Sequence, residues 1–164
     1  MANLTANAQR PVRLPPGGLE MRRVKLAGYT NFGAGTTAYT VFKGAVVMQD
    51  VSDTDGYARD MDSGVTVTTS DIFMGIAAER VDVTSDDTAD GSKEVTVYVN
   101  GVWGFPLNGL AQTDVGAPIF ADDDNLPTTT ATGNLAIGVL VAIDATYAWV
   151  DISDFSFKVS ATTT

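Results

Sequence analysis

The stretch Leu135-Ala136-Ile137-Gly138-Val139-Leu140-Val141-Ala142-Ile143-Asp144-Ala145-Thr146-Tyr147-Ala148-Trp149-Val150-Asp151-Ile152 decides the fold. Leu135, Ile137, Val139, Val141 and Ile143 recur with a period of two, which is the period of a strand. Asp144-Ala145-Thr146 interrupts the run before Tyr147 resumes it, so a hairpin of Leu135–Ile143 with Tyr147–Ile152 is predicted. The period places the five bulky residues on one face, while Ala136, Gly138 and Ala142 leave the other mostly small. One face then belongs to a core, and the other is closely covered by a second sheet or a neighbouring subunit.

Upstream the pattern repeats. Val95, Val97 and Val99 alternate with Glu94, Thr96 and Tyr98, and Asn100-Gly101 leads into Val102-Trp103-Gly104-Phe105. Both residues of Asn-Gly tolerate positive φ, so a second hairpin is expected. Shorter candidates are Thr40–Phe42 with Ala45–Gln49, Tyr57–Met61, Val65–Thr68 and Ile72–Val81. The last is ambiguous: Phe73, Ile76, Ala77 and Arg80 also fit a helical turn, whereas Gly75 and the apolar crowding favour a buried strand. Asp71–Ile76 and Asp114–Phe120 are the places for single helical turns, the second capped by Thr113-Asp114 and ended by Gly116 and Pro118. Phe155, Phe157 and Val159 alternate with Ser156, Lys158 and Ser160 as a final strand. The class is mainly β, a compact β-sandwich or partly closed β-barrel with an extended N-terminal arm and at most short helical turns.

Charge divides the 164 residues into unequal parts. Residues 1–25 hold five cations, Arg10, Arg13, Arg22, Arg23 and Lys25, and one anion, Glu20, a balance of +4. The rest holds five cations and nineteen anions, a balance of −14. Pro11-Val12-Arg13-Leu14-Pro15-Pro16-Gly17-Gly18 excludes helix and interior strand. Residues 1–19 therefore form a basic arm, extended or disordered when free, residues 20–160 a single β domain, and residues 161–164 a flexible tail.

Absences bound the chemistry. There is no cysteine and no histidine, which removes disulfides, thiolate metal sites and the commonest general base. No phosphate-cradling glycine motif is present. Asp122-Asp123-Asp124 and Asp86-Asp87 with Asp90 lack the spacing of a calcium loop and read as solvated turn residues. The acidic body repels a nucleic acid, and no apolar run approaches the length of a membrane span. A soluble protein without a cleaved signal, enzymatic activity, metal or cofactor, and with no small-molecule substrate, nucleic-acid or membrane partner, is expected. Tyr98, Trp103 and Phe105 could line a sugar or peptide site, but core or subunit seam is the preferred reading of Trp103 and Phe105.

Several segments resemble the small capsid decoration, or cement, proteins of tailed bacteriophages: Met1–Asn7, Phe73–Asp82, and the block Leu110–Asp124, Ile137–Asp144 and Tyr147–Ile152. In such proteins a Val-Gly-x-Pro step, here Val115-Gly116-Ala117-Pro118, enters a strand, and an aromatic-Val-Asp-Ile strand, here Trp149-Val150-Asp151-Ile152, closes the domain. The resemblance implies a virion protein made in the host cytoplasm and displayed on the outer capsid surface. It further implies a homotrimer that seals joints between subunits of the major capsid protein. On that reading the arm residues Arg10, Pro11, Arg13, Leu14, Arg22, Arg23 and Lys25 grip the capsid, and Trp103, Phe105, Tyr147 and Trp149 are candidates for the subunit interface. The alternative is another virion or surface component, such as a tail or spike subunit or an adhesin-like carbohydrate binder.

Overall fold

The computed structural model describes residues 3–31, 37–51, 54–62, 65 and 67–157. Among them are thirteen strands: β1 (Val12–Arg13), β2 (Met21–Lys25), β3 (Tyr39–Val41), β4 (Val46–Gln49), β5 (Ala58–Asp60), β6 (Ile72–Ala77), β7 (Val81–Val83), β8 (Glu94–Tyr98), β9 (Val102–Pro106), β10 (Pro118–Ala121), β11 (Pro127–Thr128), β12 (Leu135–Ile143) and β13 (Tyr147–Asp151). Single 3-10 turns at Tyr29–Asn31 and Gln112–Asp114 are the helical content of those residues. The first sheet has the order β1-β9-β13-β12-β10-β11, the second β2-β8-β6-β4-β5, and β3 with β7 makes a separate ribbon. A lone parallel bridge between Leu26 and Ala58 draws the edges of the second sheet together without closing it. The fold is mainly β, and of the two expected architectures it is the sandwich.

The second sheet is buried on both faces at β4 and β6, whereas β2 exposes all its residues but Val24. The sheet's Val46, Met48, Phe73 and Ile76 pack with Trp103, Phe105, Leu135, Ile137, Leu140 and Val150 of the first sheet. Its Val24, Val47, Met74, Ala77, Val95 and Val97 pack with Tyr39, Val41 and Val83 of the ribbon. Alternation along β4 and β6 thus serves two cores, and apolar area leaves water on both sides of one sheet.

The hairpin of β12 with β13 forms as predicted. Asp144 makes its turn, because its carboxylate accepts hydrogen bonds from the backbone N–H of Thr146 and Tyr147 at 2.8 Å each. The face assignment of β12 needs correction. Register shifts fall opposite Ile119/Phe120 and between Leu140 and Ala142, so Ile137 and Val141 are extra residues. The first shift exchanges the faces: Leu135, Ile137 and Leu140 are fully buried, whereas Val141 is 42% exposed.

The Asn100-Gly101 hairpin does not form. β8 is paired on both sides, by β2 and β6, and so has no edge left for β9, which joins β1 and β13. The turn instead carries the chain from one sheet to the other. Asn100 secures it by donating to the Gly18 carbonyl and accepting from the Glu20 N–H.

Ile72–Val81 resolves into β6 and β7, which enter different sheets. The helical look of Phe73 and Ile76 has a β-sheet cause. Val47 pairs with Gly75 and Met48 with Phe73, so Met74 is a bulge that returns Ile76 to the face of Phe73 three residues later. The Tyr39–Val41 and Val46–Gln49 strands form but do not pair with each other. Val65, Val67 and Thr68 are outside strands. The Asp114–Phe120 turn lies earlier, at Gln112–Asp114, where the Asp114 carboxylate accepts from the Ala111 N–H at 2.8 Å. Ser153–Phe157 form turns in place of the final strand, whose remaining residues, with the tail, lie outside the described residues.

Gly75 has φ +137°, and a Cβ there would strike the Tyr98 carbonyl of β8. Gly75→Ala is expected to destabilise the protein by about 2 kcal/mol, read as a fall of roughly 4–8 °C in Tm by thermal denaturation.

Candidate interaction surface

The basic segment is extended, but it lies along the body. The Asn3 side chain donates to Asp62, the Leu4 N–H to the Asp124 carboxylate at 2.8 Å, and the Ala8 N–H to the Lys43 carbonyl at 2.8 Å. At Pro11 the carbonyl accepts the Gly104 N–H at 2.9 Å, and Val12 then pairs with Trp103 as an edge strand. Proline suits this position because an edge residue can lack its N–H. Gly104 suits its own position because a Cβ there would lie 2.7 Å from the Pro11 ring.

Arg10 is the deepest anchor of the segment. Its guanidinium lies 4.1 Å from the centroid of the Phe105 ring and donates to the carbonyls of Gly44, Asp124 and Asn125 and to the Asn125 side chain. Burial lowers its pKa to about 10, against the pull of Asp124 and Asp123, so it stays charged at neutral pH. Asp123 and Asp124 are 0% and 1% exposed, which corrects the expectation of a solvated turn there. Asp123 uses one oxygen to accept the N–H groups of Asn125 and Leu126, and its other oxygen has no hydrogen-bond partner. One oxygen of Asp60 is also buried without a partner. Burial pushes the Asp60 carboxyl up to about 6 and the Asp124 carboxyl up to about 7. Among the described residues no group of three or more acidic side chains is placed to hold a metal ion.

The remaining basic residues face outward. Arg13 lies 4.1 Å from the centroid of the Trp149 ring, whose indole N–H donates to Asp144 at 2.6 Å. Arg22 pairs with Glu20 at 3.1 Å and Arg23 with Glu94 at 3.5 Å. Leu14 is 69% exposed at the turn between β1 and β2. The family model described as phage cement protein matches residues 33–148. The chain belongs to the phage cement protein family. Neither a curated protein nor a solved structure matches it. The role is therefore structural and capsid-associated.

In this cement protein the matched residues comprise most of the sandwich, and all five N-terminal cations precede them. The candidate residues fall into two groups. Arg10 and Pro11 are engaged within the chain, while Arg13, Leu14, Arg22, Arg23 and Lys25 are exposed. Of the two readings of Trp103 and Phe105, core or subunit seam, the protomer places both in its own core, with the Tyr98 ring tilted against Trp103 at 4.9 Å between centroids. Tyr147 is half-buried and packs edge-on against Trp149, 5.9 Å between centroids. Sequence reasoning missed Asp123 and Asp124 as partners of the segment, because their burial is produced by elements distant in the chain.

Two outcomes follow from this geometry. Asp60 and Asp124 hold protons in the folded state that the unfolded chain, with ordinary values near 3.9, has released. Their stabilisation is complete below about pH 4 and is lost as pH rises through 6 and 7. Asp82, Asp87 and Asp144, held low by hydrogen bonds, act oppositely and lose their contribution as pH falls below about 4. Tm is expected to be higher at pH 5 than at pH 7.5, and Asp124→Asn should flatten that difference. Arg10→Ala removes a buried counter-charge and is expected to cost about 3 kcal/mol at pH 7.5, and less at pH 5, by denaturant unfolding at both pH values.

Proposed function

We propose that the protein binds the outside of a phage capsid as a homotrimer and stabilises contacts between major capsid protein subunits. Family membership carries the reading, and the exposed basic residues on an acidic body support it. Arg13, Leu14, Arg22, Arg23 and Lys25 are the residues proposed to meet the capsid. Arg10 and Pro11 act by fixing the segment that presents Arg13 and Leu14. Tyr147 and Trp149 are proposed for the subunit contact, with Trp103 and Phe105 supporting them from beneath. Three basic surfaces on one trimer raise the effective concentration of each for its site, so detachment is slow even where each contact is weak. Synthesis in the host cytoplasm precedes attachment.

The test is cosedimentation with capsids stripped of decoration, together with light scattering. Wild type is expected to bind, to raise the temperature at which capsids disrupt, and to scatter as a trimer. Combined Arg13→Glu and Arg22→Glu should reduce binding at least tenfold at low salt while leaving Tm within a few degrees. Equal binding by that variant would remove the basic residues from the contact.

A further inference from the structure

β2 is an edge strand with a regular pattern of unused backbone groups. Met21 pairs with Tyr98 and Lys25 with Glu94, and at the flanks the Val99 N–H donates to the Glu20 carbonyl and the Leu26 N–H to the Lys93 carbonyl. In an antiparallel ladder hydrogen-bonded pairs alternate, so Arg22 and Val24 direct their N–H and C=O groups at β8. Met21, Arg23 and Lys25 direct theirs the other way. Beyond them lies β5, joined to the chain after β2 at one point, where the Ala27 N–H donates to the Ala58 carbonyl at 2.9 Å. From that point the two edges diverge around a cavity of about 300 Å³ lined by Arg23, Lys25, Tyr57, Met74 and Phe157. Among the described residues nothing hydrogen-bonds the backbone of Met21 or Arg23 from this side.

We infer that this seam accepts an extended, acidic segment of another protein as an added strand alongside β2. The inference rests on the proposed capsid-binding role and deepens it by naming how part of the basic surface engages its partner. Backbone groups of Met21 and Arg23 supply the ladder, and the cations select the sequence. A second copy of β2 would set Arg22, Arg23 and Lys25 against themselves, whereas an acidic strand meets opposite charges. The pairs Arg22–Glu20 and Arg23–Glu94 are exposed, and such pairs are worth about 0–1 kcal/mol, so a partner's carboxylates can exchange for them. Lys25 has no ion-pair partner among the described residues. The competing reading is that the charges only keep an open edge from aggregating.

Proline separates the two readings. Met21→Pro removes one seam-facing N–H without touching the β2–β8 ladder or any charge, and Met21→Ala is its control. On stripped capsids Met21→Pro is expected to bind at least tenfold more weakly than Met21→Ala with an unchanged circular dichroism spectrum. Arg23→Pro against Arg23→Gln repeats the comparison should the first proline variant fail to fold. With a heptapeptide of alternating glutamate and valine as probe, the amide signals of Met21 and Arg23 should shift and gain exchange protection, while those of Arg22 and Val24 are already protected. Equal capsid binding by the proline variants and their controls, or no change at Met21 and Arg23 on adding peptide, would overturn the inference. So would an oligomer that Met21→Pro dissociates, or amides of Met21 and Arg23 that are protected in the free protein and exposed on deleting residues 158–164. If wild type leaves capsids bare, the capsid reading fails by itself and the peptide titration still decides the seam.

Discussion

The side chain of Arg10 is, with Arg59 beside Asp50, one of two counter-charges of an interior that holds more carboxylate than cation. It reaches the Gly44 carbonyl just before β4, the Asp124 and Asn125 carbonyls after β10, and the Phe105 ring of β9. Asp124 in turn accepts the Val46 N–H at 2.9 Å, which ties the two sheets together beside it. A buried charge without a partner costs several kcal/mol, so each element that places Asp123 or Asp124 inside depends on a guanidinium arriving there. The N-terminal segment brings it. Residues 3–13 are in this sense part of the sandwich, although they run into a stretch, Pro11 to Gly18, with the composition of a linker.

This constraint divides the basic segment by function. A cation sunk among carbonyls and carboxylates holds the fold, whereas Arg13, Arg22, Arg23 and Lys25 remain at the surface. Arg13 and Leu14 then owe their placement to Arg10, because they follow it and Pro11 along one docked strand, whereas Arg22, Arg23 and Lys25 are placed by the pairing of β2 with β8. A capsid-associated protein gains from such rigidity, since a contact residue already held in place loses less freedom on binding.

Much of the architecture was legible because strand periodicity is a local property. The β12–β13 hairpin, the buried alternation of Val95, Val97 and Val99, and the mainly β class follow from residue order and turn chemistry. Pairing was less legible. Asn100-Gly101 has the composition of a hairpin turn, but whether two adjacent strands pair depends on whether either edge is already occupied, and both edges of β8 are. The bulges at Met74, Ile137 and Val141 were likewise hidden, since each exists to match a partner strand elsewhere in the chain.

The sequence by itself determined the class of the fold, the absence of histidine and cysteine chemistry, the +4 and −14 division of charge, and the resemblance that family membership upholds. Only the tertiary structure decided which of the N-terminal cations turns inward and which stay exposed. Along the chain Arg10 and Arg13 are alike, three residues apart in the same proline-rich stretch. Their difference arises because burial depends on what packs opposite, and Asp124, Gly44 and Phe105 converge on Arg10 from positions 34 to 114 residues away.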